Sequence, residues 1–240
     1  MLRIETQAVM YQDDHSHLAG LFVTDGERRD RRPGVLVVHG GAGLDDHARG
    51  RARRMAALGY VVFACDMYGD GVAGDRQRII ATIGALRAEP GRLARRARAG
   101  LEQLLRHPQV DGRVASIGYC FGGLTVLELA RSGCDLAGAV SVHGSLDTPR
   151  PAEPGSIRAR ILVLHGSLDP HVPTAQVTGF VDEMHHARAD WQLIVYGGAQ
   201  HGFTHEDADG TRTPGVAYHA LSDARSSIAI AAFLREVFQE

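Results

Sequence analysis

The chain has 240 residues, 44% of them hydrophobic and 22% charged, with a formal net charge of −2. Those values fit a soluble globular protein with one sizeable core, and they give no electrostatic case for binding nucleic acid or an anionic membrane. The 26 positive charges are all arginine and are scattered, and no run approaches the ~18 apolar residues a membrane span needs.

Two weak strands open the chain, around Ile4–Tyr11 and Leu18–Thr24, and read as an antiparallel edge hairpin. Short continuous apolar runs then recur at Val35–Val38, Tyr60–Ala64, Val114–Ile117, Gly138–Val142, Ile161–Leu164 and Leu193–Tyr196. Runs without polar alternation suit strands buried on both faces. Helical patterns separate most of them, at Asp46–Leu58, Arg76–Leu105, Phe121–Ser132, Thr174–Ala187 and Ala217–Phe238. The alternation predicts an α/β fold, a mostly parallel central sheet flanked by helices on both faces, forming one domain over residues 1–240. Pro90-Gly91 should split the second helical stretch in two. Asp147–Pro154 reads as a proline-rich loop, and the arginine tract from Arg92 to Arg98 as a solvated helix face, since no aromatics interleave it.

The start of the chain, Met1–Tyr11, lacks an apolar h-region, so no signal peptide is expected. Three cysteines, Cys65, Cys120 and Cys134, are an odd count that points to reduced thiols in a cytoplasm.

Cys120 stands apart from the other two. Gly118-Tyr-Cys-Phe-Gly122 follows a buried strand and precedes a helix, which is the nucleophile-elbow pattern G-x-C-x-G with sulfur as the nucleophile. The glycines leave room for a sharp strand-to-helix turn that lifts the thiol above the sheet. A thiol also needs activation. The helix dipole contributes roughly 0.3–1 kcal/mol, less than one pKa unit at ~1.36 kcal/mol per unit. An imidazolium at ~4 Å contributes up to about 4 kcal/mol in a partly shielded site. A histidine must therefore carry most of the activation, oriented by a carboxylate.

Thirteen histidines compete. The order nucleophile, acid, base of elbow hydrolases favours His201, in a glycine-flanked loop just past a strand. The acid is ambiguous, because His-Gly-Ser-Leu-Asp occurs twice, ending at Asp147 and at Asp169. Each copy follows a strand, where α/β sites form. Asp169 is preferred, since Pro170 and Pro173 fix a tight turn behind it, and Asp147 is the alternative. Backbone N–H groups of Phe121 and Gly41 are the expected oxyanion donors. His15-Ser-His17 and His185-His186 lack carboxylate or cysteine ligands at fixed spacing, so they read as surface pairs and no metal is expected. His219, in the last helix, reads as structural. Asp45 and Asp46 read as N-cap residues.

These segments together resemble the dienelactone hydrolase family of α/β hydrolases. The resemblance runs from about Pro33 to the C-terminus, through Gly34–His39, Gly59–Gly69, Gly118–Gly123, Ile161–Gly166 with Asp169, and Gly198–Phe203. It implies a triad of Cys120, Asp169 and His201, and hydrolysis of a small-molecule ester, lactone or thioester through an acyl-cysteine. Neither cofactor nor metal is expected, and the assembly is expected to be a monomer or homodimer. The best-known family members carry a glutamate directly after the residue matching His39; here that residue is Gly40, so direct pairing of Cys120 with His201 is expected. An arginine four residues past the catalytic histidine is here His205. Tyr68–Arg92 is expected to cover the pocket. The rival expectation is an inactive or ligand-binding relative, and redox use of Cys120 ranks below it, since no resolving CxxC partner is present.

Overall fold

Along β3 (Arg32–Val38), Leu36 and Val38 enter one apolar cluster while Val35 and Val37 enter another. A strand that alternates between two cores is covered on both faces. The computed structural model describes residues 2–14 and 16–239. Before β3 lie β1 (Ile4–Asp13) and β2 (Ser16–Asp25), and after it α1 (Asp46–Ala57) and β4 (Val61–Cys65). The chain continues through α2 (Arg76–Ala88), α3 (Arg92–Arg106), β5 (Val110–Tyr119), α4 (Phe121–Arg131) and β6 (Gly138–Val142). It ends with β7 (Arg160–Gly166), α5 (Thr174–Ala187), β8 (Trp191–Tyr196) and α6 (Ala220–Phe238).

The strands form one sheet in the order β1-β2-β4-β3-β5-β6-β7-β8. Strands β3 to β8 pair in parallel, and β1 and β2 add an antiparallel edge. This is the fold of the α/β hydrolases. From β3 the chain steps outward to β4, then returns to the other side of β3 as β5. The order reverses there, and the crevice beyond those strand ends is where α/β sheets place ligands.

The break at Pro90-Gly91 falls where the sequence puts it, with Gly91 at φ 82° between α2 and α3. Asp45 is the N-cap of α1, its carboxylate accepting from the Ala48 N–H at 2.9 Å. Three elements differ from the sequence expectation. β5 begins at Val110, four residues early, because that end is held by the bond from Arg32 N–H to the Gln109 carbonyl. α6 begins at Ala220, since the N–H groups of Ala217 and His219 bond to the His201 and Phe203 carbonyls instead. His219 is thus the residue before the helix, bonded through Nδ1 to the Ser222 hydroxyl at 2.7 Å. Third, the tract Arg92–Arg98 is only partly a solvated face. Arg96 is buried, pairs with Asp13, and donates to the Met67 carbonyl at 3.1 Å and the Ser16 hydroxyl at 2.8 Å. No helix among the described residues is long and apolar enough to cross a membrane.

Candidate active site

The elbow at the end of β5 is built by close backbone approach. A Cβ on Gly118 would lie 1.9 Å from the Gly122 carbonyl oxygen, and one on Gly122 would lie 2.2 Å from that of Val38. Neither position admits a side chain, so both glycines are required by packing. Cys120 sits between them at φ 53°, ψ −114°, a conformation that costs on the order of 1–3 kcal/mol for a residue with a Cβ. Bonds from its N–H to the Val142 carbonyl (3.0 Å) and to Nδ1 of His143 (3.2 Å) hold it there.

Sγ of Cys120 lies 3.0 Å from Nε2 of His201. Nδ1 of His201 lies 2.8 Å from Oδ2 of Asp169. An ionised carboxylate only accepts, so the Nδ1 hydrogen points to Asp169 and Nε2 faces the sulfur. Asp169 is held in turn by the His171 and Val172 N–H groups, which donate to Oδ1 at 2.8 and 3.2 Å. The turn set by Pro170 and Pro173 aims these groups. The structure therefore brings Cys120, His201 and Asp169 together. Asp147, the alternative acid, lies at the surface and pairs with Arg87 at 3.3 Å.

The electrostatics follow from those contacts. Burial pushes the Cys120 thiol up, but the bond and charge of His201, with the Phe121 and Gly41 N–H groups aimed at the sulfur, hold it below the ordinary value. Burial alone lowers His201, yet its bonds to Asp169 and Cys120 raise it to about 10. Burial likewise raises Asp169, and His201 and the His171 N–H more than reverse that. Both shifts favour the charged pair of thiolate and imidazolium over the neutral one. Cys65, buried without such partners, has its thiol pushed above the ordinary range.

The Gly41 donor is aimed by residues the sequence reading left without a role. Nε2 of His39 accepts from the Met67 N–H at 3.0 Å, which leaves the ring proton on Nδ1, 2.7 Å from the Gly40 carbonyl. A trans peptide points its C=O and N–H in opposite directions, so holding the Gly40 carbonyl turns the Gly41 N–H towards Cys120. The Tyr68 hydroxyl donates to the Gly41 carbonyl at 3.0 Å and fixes the next peptide. A Cβ at Gly40 would sit 3.6 Å from that of Cys120 and 3.8 Å from Nε2 of His205. The space a longer side chain would take here faces the thiol and His205 directly.

Cys120 opens on a cavity of about 1250 Å³. Phe121, Leu124 and Val172 line it, as do Ile80 and Ile83 of α2. Its polar wall carries Arg54 and Glu206, which pair with each other at 3.3 Å. Among the described residues no cluster of three or more His, Cys, Asp or Glu could hold a metal ion. His15 lies outside the described residues, and His185 and His186 fall in the last turn of α5. Besides His39, the sequence reading also missed His143 and Thr204, which lie beside the elbow and in the His201 loop. The signal for His143 was there, in a histidine directly after a strand end in the first pentapeptide copy.

The model of the dienelactone hydrolase family matches residues 18–238. A solved structure described as m3DLH superposes with a TM-score of 0.91 at 40% identity, covering 98% of this chain and 99% of that one. A dienelactone hydrolase-like promiscuous phosphotriesterase, P91 from metagenomic libraries, superposes at 0.90 with 38% identity, covering 98% and 99%. A protein of Escherichia coli (strain K12), provisionally described as a carboxymethylenebutenolidase, is 28% identical over 184 residues, covering 71% of this chain and 67% of that protein. With its elbow, its sheet order and a family match over nearly its whole length, the chain belongs to the dienelactone hydrolase family of α/β hydrolases.

Proposed function

We propose that the protein is a cysteine-dependent hydrolase of small-molecule esters, lactones or thioesters, acting through an acyl-cysteine. The observation that carries the reading is the 3.0 Å approach of His201 Nε2 to a thiol that two backbone N–H groups also face. The Cys120 thiolate attacks the carbonyl carbon, and the negative charge moves to the carbonyl oxygen. The Phe121 and Gly41 N–H groups stabilise that oxyanion. The tetrahedral species collapses as the His201 imidazolium gives its Nε2 proton to the leaving oxygen or sulfur. Neutral His201 then takes a proton from water as the water attacks the acyl-cysteine. Collapse releases the acid and regenerates the thiolate–imidazolium pair. Asp169 holds the imidazole in the tautomer both steps need.

Phe121, Leu124, Ile80 and Ile83 on the cavity wall support an acyl or alcohol portion with an apolar face. The three free cysteines suit a reducing compartment such as the cytoplasm. The test is hydrolysis of short p-nitrophenyl esters and thioesters, with intact-mass detection of an acyl adduct. Activity no higher than that of Cys120→Ala, with no adduct, favours the inactive, ligand-binding alternative. A second reading, phosphotriester cleavage, draws on the 38% identity to P91 across nearly the whole chain. It is tested in the same assay with a p-nitrophenyl phosphotriester.

A further inference from the structure

Beside the triad, four polar side chains form an unbroken line from the nucleophile's backbone to a buried ion pair. Every hydrogen along it has one direction. The Cys120 N–H can only donate, so Nδ1 of His143 accepts it at 3.2 Å. A neutral imidazole that accepts at Nδ1 keeps its proton on Nε2. That N–H donates to Oγ1 of Thr204 at 2.9 Å. The Thr204 hydroxyl, which accepts from His143, sends its own proton to Nε2 of His47, 3.0 Å away. Arg51 Nε, which can only donate, lies 3.2 Å from the same nitrogen and shares its single lone pair, and Nδ1 of His47 has no hydrogen-bond partner among the described residues. Arg51 is itself fixed by Asp223 at 2.7 and 3.1 Å, and it donates to the Thr204 carbonyl at 2.5 Å.

The line joins the two halves of the reactive pair. His143 grips the backbone of Cys120, and Thr204 lies three residues after His201 in the same loop. The amide of Cys120 already has the Val142 carbonyl as a partner at 3.0 Å. His143 is therefore not needed to satisfy a stranded donor; what it adds is a tie across the site. We propose that His143 and Thr204 are positioning residues that set the separation of Cys120 and His201. The proposal rests on the Cys120–His201 pair of the proposed function.

The line works only while His143 is neutral, because a proton on Nδ1 would confront the Cys120 N–H. The surroundings enforce that. Burial comes first, then the positive charge of His201, and together they hold His143 well below the ordinary histidine range. The rings of Tyr119, His201, Phe203 and His205 enclose it.

The experiment reads the thiolate directly. Alkylation of Cys120 by iodoacetamide is followed against pH by peptide mass mapping in wild type, Thr204→Val, Thr204→Ser, His143→Asn and His201→Ala, beside kcat and KM on a p-nitrophenyl ester. Thr204→Val keeps the shape and removes the hydroxyl. It should raise the alkylation midpoint by about half to one pH unit, a roughly threefold to tenfold change in thiolate fraction. It should lower kcat about tenfold with KM within about twofold, and Thr204→Ser should restore both. His143→Asn should move the same two readouts, and it decides the matter if Thr204→Val does not fold. Wild-type midpoints in folded Thr204→Val and His143→Asn, even with a lower Tm, would overturn the proposal. An unshifted midpoint in His201→Ala would overturn the pair itself, and this proposal with it.

Discussion

His201 stands 81 positions beyond Cys120, yet its Nε2 and the cysteine Sγ are 3.0 Å apart, on the ends of β5 and of the loop after β8. Each group shifts the other's titration, so activity by the proposed route should have two limbs. The Cys120 value is depressed, so the thiolate is lost only as pH falls through that lowered value. The His201 value is raised to about 10, so the imidazolium that protonates the leaving group persists until pH rises through that value. The profile of kcat/KM should be a broad bell, with its acid limb below the ordinary cysteine range and its alkaline limb near 10. An alkaline limb near the ordinary histidine value would contradict the pairing.

The duplicated pentapeptide supplies an internal control. Asp169→Asn keeps the shape and removes the charge that favours the Nδ1–H tautomer, so kcat should fall by about 10²–10⁴. Asp147→Asn touches a half-exposed pair with Arg87, so kcat should stay within about twofold and stability within about 0.5 kcal/mol. Equal losses in the two variants would place the acid elsewhere.

Gly41 offers a test of the oxyanion donors. A Cβ there meets nothing within 4 Å, so Gly41→Ala should remain near wild type. Gly41→Pro removes the N–H and should cost about 10²–10³ in kcat. Steady-state kinetics on one p-nitrophenyl ester separates the two.

Stability should respond sharply at the elbow. Gly122→Ala drives a Cβ to 2.2 Å from the Val38 carbonyl oxygen, a backbone atom that cannot swing aside. The expected cost is about 1–3 kcal/mol or more, a fall in Tm of about 2–12 °C for a chain of this size. Gly84→Ala, with open space at its Cβ in α2, should be neutral or stabilising, by up to about 1 kcal/mol. Thermal unfolding followed by circular dichroism checks both.

The segment Tyr68–Arg92 should open faster than the sheet. Of the residues in α2, Leu86 alone is buried, and Ile80 is 61% exposed. Hydrogen exchange in Arg76–Ala88 should therefore outpace that in β3, β5 and β6, whose apolar residues are buried on both faces. Equal protection would contradict a moving cover.

The sequence made the strands legible because a parallel sheet demands unbroken apolar runs, as in Val35–Val38 and Ile161–Leu164, and little else produces them. It made Cys120 and His201 legible because glycines mark the close approaches around each. What it left dark depends on side-chain direction. Arg96 sits in a run of arginines that looks uniformly wet, and only the meeting of α3 with Asp13 turns it inward. His39 and His143 resemble any histidine at a strand end until the peptides they hold are in view. Asp169 was separable from Asp147 through Pro170 and Pro173 behind it; in the structure one carboxylate lies 2.8 Å from His201 and the other pairs with Arg87 at the surface.

The slight anchoring of α2 has an evolutionary meaning. Ile80, on the cavity wall yet 61% exposed, can be rewritten at little cost to folding while the residues around Cys120 stay intact. Relatives on this scaffold can thus diverge in what they admit by drifting at one exchangeable helix, with each trial nearly neutral for survival of the fold.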